Sequence, residues 1–339
     1  MPTDTQTLWV GSQGGLEAPL VQRANIRFEG IPAAGVHGVG LQKLPGNLVS
    51  IVKGSMAARR ILLKFKPDVI FFTGGYIAFP IALAGLRIPK VLFVPDVEPG
   101  LALKVISFFA QRIALSVEAS RKFYGKQSKL EVTGYPVRRE IGHRDKQAAR
   151  AQMGLSDEKP VILFLGGSKG AHSINQAVFT NLNQLLESTQ VIHITGELDW
   201  SRVEPIRVRL TTELQSQYHA HPYLHEEMAS ALASADLVIS RAGASSLGEY
   251  PVHGLPAILV PYPHAWRYQL VNAQYLEQSG AAIVVEDGEL ESKLLQTVTD
   301  LVNNPSRLKD MGIAMRKLAR PQAASSIAQL LLASAGGRS

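Results

Sequence analysis

The 339-residue chain has no cysteine, which excludes a disulfide framework, a thiolate nucleophile and any cysteine-ligated metal. A reducing cytoplasm is the simplest setting for such a chain. No stretch reaches the ~20 consecutive apolar residues of a membrane span. The opening MPTDTQTLWVGSQGG also lacks a basic segment followed by an apolar one. The sequence therefore predicts a protein that is neither exported nor integral to a membrane. The basic residues are not interleaved with an aromatic platform, so nucleic acid is not an expected partner.

What is present suits a globular enzyme. Hydrophobic residues make up 46% and charged residues 19%, a balance that can bury a core, and the length favours two domains. The net charge of +7 is uneven: residues 1–150 carry +11 and residues 151–339 carry −4. A basic first half either faces something anionic, such as a lipid surface or a pyrophosphate, or is a solvated face. The segment from Leu48 to Lys66, with Lys53, Arg59, Arg60, Lys64 and Lys66, reads as an amphipathic helix. Its basic side can lie on an anionic membrane or face water over a buried apolar side.

Short apolar runs alternate with helix-length stretches throughout, the pattern of parallel strands joined by crossover helices. Strands are expected near Leu8, Ile26, Val69, Val91, Ile113 and Leu130, then near Val161, Val191, Tyr218, Leu237, Ala257 and Ala282. The polar stretch from Arg138 to Pro160 reads as a linker with a short helix and puts a boundary near Lys159. The expected architecture is α/β, with two similar Rossmann-like domains, 1–150 and 151–339, facing a cleft. Nothing precedes the strand at Leu8 that reads as a further strand, glycine turn and helix.

Five segments carry candidate chemistry. VILFLGGSKGAHSIN, from Val161, is a buried strand, a glycine turn and a helix. Gly166, Gly167 and Gly170 let backbone approach an anion, Ser168 and the helix N–H groups donate to it, and Lys169 adds charge. An ordinary βα turn has the same outline. SRAGASSLGE, from Ser240, again leads from a strand into small residues, with Glu249 placed to accept from ribose hydroxyls or to sit in solvent on a helix.

VPYPHAWRYQLVN, from Val260, supplies His264, Arg267, Gln269 and Asn272 as groups that can orient a sugar and its phosphates, while Trp266 and Tyr268 suit packing equally well. In the first half, Gly74, Gly75 and Tyr76 form either a second anion-compatible turn or a plain βα turn. FVPDVEPG, from Phe93, sets Asp96 and Glu98 at the end of a strand. Either carboxylate can serve as general base, and Asp96 can instead cap a helix.

Taken in order, these segments resemble the MurG family of GT-B glycosyltransferases. That family moves N-acetylglucosamine from UDP onto an undecaprenyl-diphosphate-linked muramyl peptide, converting lipid I to lipid II. The resemblance rests on GGSKGAHSIN from Gly166, SRAGASSLGE from Ser240, GLPAILVPYPH from Gly254, RYQLVNA from Arg267, PDVIFFTGGY from Pro67, GYPVRRE from Gly134 and GGLEA from Gly14.

It implies that the Gly166–Ala171 loop holds the donor diphosphate and that Glu249 holds the ribose. Arg241, Ala244, Gln269 and Asn272 would contact nucleotide and sugar, with Arg138 close to the cleft. It also implies an inverting reaction at the inner face of the cell membrane, with UDP-N-acetylglucosamine as donor, no cofactor and no metal. The family's opening strand and its Gly-rich loop ending in His have no counterpart here, and its His-Glu-Gln-Asn stretch is replaced by VPDVEPG from Val94. Those departures keep two alternatives open: a nucleotide-sugar binder with another acceptor or a protein partner, and a UDP-sugar epimerase on the same architecture.

Overall fold

The computed structural model describes residues 5–15, 17–32, 44–75, 77–125, 127–142, 144–167, 170–264 and 267–336. Tyr76, Ser168, Lys169 and Trp266 lie outside the described residues.

Twelve strands follow the alternation read from the sequence: β1 Leu8–Ser12, β2 Arg27–Ile31, β3 Ile70–Phe72, β4 Lys90–Val94, β5 Arg112–Leu115, β6 Leu130–Val132, β7 Val161–Leu165, β8 Gln190–Ile194, β9 Tyr218–His221, β10 Leu237–Ser240, β11 Ala257–Leu259 and β12 Ala282–Val284. The helices between and after them are α1 Ala18–Arg23, α2 Leu44–Phe65, α3 Ala78–Ala84, α4 Leu101–Ser107, α5 Lys146–Met153, α6 His172–Ser188, α7 Val203–Arg207, α8 Thr212–Gln215, α9 Met228–Ser234, α10 Glu249–His253, α11 Tyr268–Gln278, α12 Leu290–Val302, α13 Pro305–Lys317 and α14 Ala323–Gly336.

Among the described residues every strand pairing is parallel. The second half forms one six-stranded sheet ordered β12-β11-β10-β7-β8-β9, and the first half a four-stranded sheet β3-β4-β5-β6. Among the described residues, β1 and β2 pair only with each other. Parallel strands covered by helices on both faces must be apolar on both, which is why VILFL at β7 reads as an unbroken run: residues 161–164 are all fully buried.

The stretch between the halves contains α5. Asp145 caps its amino end by accepting from Ala148 N–H, and Gly154, at φ +70°, ends it. The last helix breaks the simple division by chain position. By sequence order α14 belongs to the second domain, yet Ile327, Leu330 and Leu331 pack on Val91, Phe93 and Ala114 of β4 and β5. An apolar helix goes to whatever apolar sheet face is uncovered, and here that face lies in the first half.

Candidate active site

The carboxyl ends of β4, β7, β10 and β11 converge between the halves, the end of an α/β sheet where ligands gather. Glycine is required at two points of the loop between β7 and α6. A Cβ on Gly166 would lie 2.1 Å from Ala171 N, and one on Gly170, at φ +78°, would lie 2.2 Å from the Thr195 carbonyl oxygen. The loop therefore folds tightly against the end of β8. It opens onto the amino end of a 17-residue helix, whose unpaired N–H groups and dipole favour an anion.

One residue into α6, Ser173 joins a polar cluster that the sequence did not reveal. Arg241 gives one terminal nitrogen to Asp287 Oδ1 at 2.5 Å and to the Val260 carbonyl at 3.1 Å, and the other to Ser173 Oγ at 2.8 Å. Ser173 in turn donates to Asp287 at 2.6 Å, and the Tyr262 ring lies 5.2 Å from the guanidinium carbon. Arg241 is thus locked, with 11% of its side chain exposed. Asp287 follows β12 in a short acidic run, 46 residues from Arg241, so no local spacing connects them.

Glu249 begins α10, directly after the turn holding Gly243 and Ala244. Burial pushes its carboxyl above the usual range, while the Arg138 charge and a hydrogen bond from Ser245 pull it back. For Tyr135, in the irregular segment after β6, burial and the negative charges of Glu249 and Asp96 raise the hydroxyl above its usual range. That shared influence brings Glu249, Arg138, Tyr135 and Asp96 into one neighbourhood.

The loop before α11 closes this neighbourhood. Gln269 Oε1 accepts from Tyr262 N–H at 2.9 Å, and the exposed His264 ring stands edge-on to Tyr262 at 5.4 Å. Asn272 is fully buried, and its amide bridges the two halves. Its Oδ1 accepts from Val97 N–H at 3.0 Å, and its Nδ2 donates to Asp96 Oδ1 at 2.8 Å and to the Ala242 carbonyl at 3.2 Å. Both ends of the amide are therefore engaged by protein.

Asp96 is half-buried, and burial raises its carboxyl against the opposing Asn272 hydrogen bond. Glu98 is 7% exposed and accepts from Arg267 Nε at 2.7 Å. In the first half, Gly74 and Gly75 adopt φ +125° and +87° in the turn after β3. Among the described residues, a Cβ on Gly74 would meet Leu103, at an ordinary contact distance of 3.8 Å. A wider hollow of about 1030 Å3 lies at the opposite end of the second sheet, near Lys146, Arg150 and Asp236, away from these residues.

Similarity to known proteins extends over nearly the whole chain. Residues 2–115 match the Glycosyltransferase family 28 N-terminal domain and residues 161–330 the Glycosyltransferase family 28 C-terminal domain. The chain is 38% identical to the UDP-N-acetylglucosamine-N-acetylmuramyl-(pentapeptide) pyrophosphoryl-undecaprenol N-acetylglucosamine transferase of Roseiflexus sp. strain RS-1, over 97% of this chain and 84% of that protein. It is also 38% identical to the transferase of the same name from Halothermothrix orenii, over 98% and 92%.

The crystal structure of Acinetobacter baumannii MurG superposes with a TM-score of 0.75 at 25% identity, covering 96% of this chain and 91% of that one. The UDP-GlcNAc 2-epimerase of Neisseria meningitidis superposes at 0.64 with 15% identity, covering 97% and 100%, a likeness of fold alone. The architecture is GT-B, and the chain belongs to glycosyltransferase family 28.

Proposed function

We propose that this protein transfers N-acetylglucosamine from UDP-N-acetylglucosamine to the muramyl sugar of a polyprenyl-diphosphate-linked peptide, the lipid I to lipid II step of peptidoglycan synthesis. The observation that carries this reading is the near full-length 38% identity to relatives bearing that transferase name. The arrangement of the cleft supports the chemistry.

In the proposed reaction the donor diphosphate rests on the Gly166–Ala171 loop and the amino end of α6. Charge develops there as UDP leaves, and preoriented N–H groups offset it without reorganising. Glu249 accepts from the ribose hydroxyls. Arg241, fixed by Asp287 and Ser173, sets the field behind the phosphates, and Ala244, His264 and Gln269 border the sugar. The acceptor hydroxyl, entering from the Gly74–Gly75 side, attacks the anomeric carbon from the face opposite UDP and so inverts it. Asp96 takes its proton, since burial moves that carboxyl toward the range where a general base is effective.

We further read the protein as peripheral to the inner face of the membrane. Among the described residues no helix is long and apolar enough to cross one. On α2, however, Val52, Met56 and Leu63 are 53%, 54% and 65% exposed, and Lys53, Arg59, Arg60 and Lys64 lie exposed beside them. An apolar stripe flanked by cations suits an anionic lipid surface.

The test is UDP release from UDP-N-acetylglucosamine with and without a lipid-linked muramyl acceptor. Release that requires acceptor is expected. Conversion of the donor sugar to its 2-epimer without acceptor would replace transfer with epimerisation.

A further inference from the structure

Beside the end of β4, between the two halves, is a cavity of about 450 Å3 lined by Glu98, Pro99, Leu101, Lys104, Arg267 and Tyr268. Glu98 is nearly buried, and its two oxygens serve different cations: Oε2 accepts from Arg267 Nε at 2.7 Å, and Oε1 lies 3.7 Å from Lys104 Nζ. The cations come from opposite halves of the chain and keep much of their surface, 61% of the Arg267 side chain and 38% of Lys104. One carboxylate cannot neutralise both, so the trio carries a surplus positive charge. Lys104 also lies 5.6 Å from the centre of the Phe123 ring, which Lys122 approaches to 5.3 Å, adding a third cation nearby.

An apolar path starts at the same pocket. Leu101, Val105 and Phe108 are 48%, 43% and 82% exposed, and their spacing of four and three residues puts them on one face of α4 and its end. Cations able to grip phosphate oxygens, with an exposed hydrocarbon track leading away, match an isoprenoid diphosphate better than a nucleotide.

We infer that Lys104 and Arg267 hold the diphosphate of the polyprenyl-linked acceptor, that Glu98 is the residue positioning both, and that the α4 stripe receives the first isoprene units. This rests on the transfer reading above. Arg267 directly precedes α11, which carries Gln269 and Asn272, so the acceptor diphosphate would be anchored next to the donor sugar. The site is whole only while the halves stay together, because each supplies one of its cations.

The experiment is steady-state kinetics of the full chain in neutral detergent, with UDP-N-acetylglucosamine and a short-chain lipid-linked acceptor. Lys104→Ala and Arg267→Ala should each raise KM for acceptor about tenfold, the loss of one charge-assisted contact, and leave KM for the donor unchanged. Lys104→Arg should recover most of the loss. Inorganic pyrophosphate should compete with the acceptor in the wild type and less well in both alanine variants. Glu98→Gln should raise KM for acceptor and keep kcat at saturating acceptor.

Unchanged acceptor KM in an active Lys104→Ala and Arg267→Ala pair overturns the site. So does a KM effect seen only on phosphatidylglycerol vesicles and absent in detergent, since the cations would then be reading a membrane surface. Loss of kcat without a KM change in Glu98→Gln would make Glu98 the base instead of a positioning residue. If the wild type transfers nothing, the transfer reading fails. Pyrophosphate calorimetry on the same variants still decides the pocket: binding lost in both supports it, and equal binding overturns it.

Discussion

A single methyl group at residue 170 would sit 2.2 Å from the Thr195 carbonyl oxygen and on a backbone at φ +78°, which side chains rarely adopt. Gly170→Ala must therefore move the loop away from β8. It should weaken UDP binding measured by calorimetry more than it lowers the melting temperature, whereas equal UDP affinity would remove the loop from the donor site. This glycine cluster was legible in the sequence because a strand, three glycines and a helix are contiguous. The clamp on Arg241 was not, because Asp287 and Ser173 reach it from 46 and 68 residues away in the chain. Asp96 and Glu98 were legible as carboxylates at a strand end. Their bonds to Asn272 and Arg267, across about 170 residues of chain, were not.

On β8, beside the glycine loop, His193 is fully buried between Tyr218 OH at 2.9 Å and Asn175 Oδ1 at 3.0 Å, and burial lowers its pKa to about 3. An unfolded histidine binds its proton below about 6.5. Between those values the unfolded state holds more protons, so stability falls with falling pH, by up to about 1.4 kcal/mol per pH unit. His219, His221 and His253, also lowered by burial, act in the same sense, while Asp96 and Glu249, raised by burial, oppose it. The clean test compares the wild type with His193→Gln by urea unfolding at pH 7.5 and 5. The wild type should lose more stability on acidification, and parallel losses would show that His193 does not titrate on unfolding.

At the scale of elements, the twelve strands among the described residues stand where short apolar runs placed them, and those buried on both faces, such as β4, β7, β8 and β10, leave the plainest mark in a sequence. Helix partners were less legible. The apolar face of α14 announces burial without saying against what, and only the fold shows it covering β4 and β5. Burying Ile327, Leu330 and Leu331 there is worth about 1.5–3 kcal/mol each. Deleting residues 323–336 should unfold the first half before the second, seen as two transitions in calorimetry. One unchanged cooperative transition would contradict that packing.

On α2 the sequence left open whether the basic face meets water or lipid, because a helix pattern does not report what lies outside the chain. At about 1 kcal/mol per cation near an anionic bilayer, neutralising Arg59, Arg60 and Lys64 should reduce binding to phosphatidylglycerol vesicles on the order of a hundredfold. Retained binding would move the contact elsewhere.

At the scale of the whole molecule, the parallel α/β sheets of the two halves were legible in the repeated alternation of the chain. What joins them was not, because it consists of single residues: Asn272 shared between Asp96, Val97 and Ala242, Arg267 on Glu98, and a last helix crossing back to the first sheet. These ties bring the proposed donor loop, the candidate base and the proposed acceptor pocket to one cleft, as the proposed transfer needs. The most direct measurement is the product formed from UDP-N-acetylglucosamine and a lipid-linked muramyl acceptor, identified by mass and by the anomeric configuration of the new bond. A lipid-linked disaccharide with configuration inverted relative to the donor is predicted. A retained configuration, or no disaccharide while the donor sugar is epimerised, would contradict it.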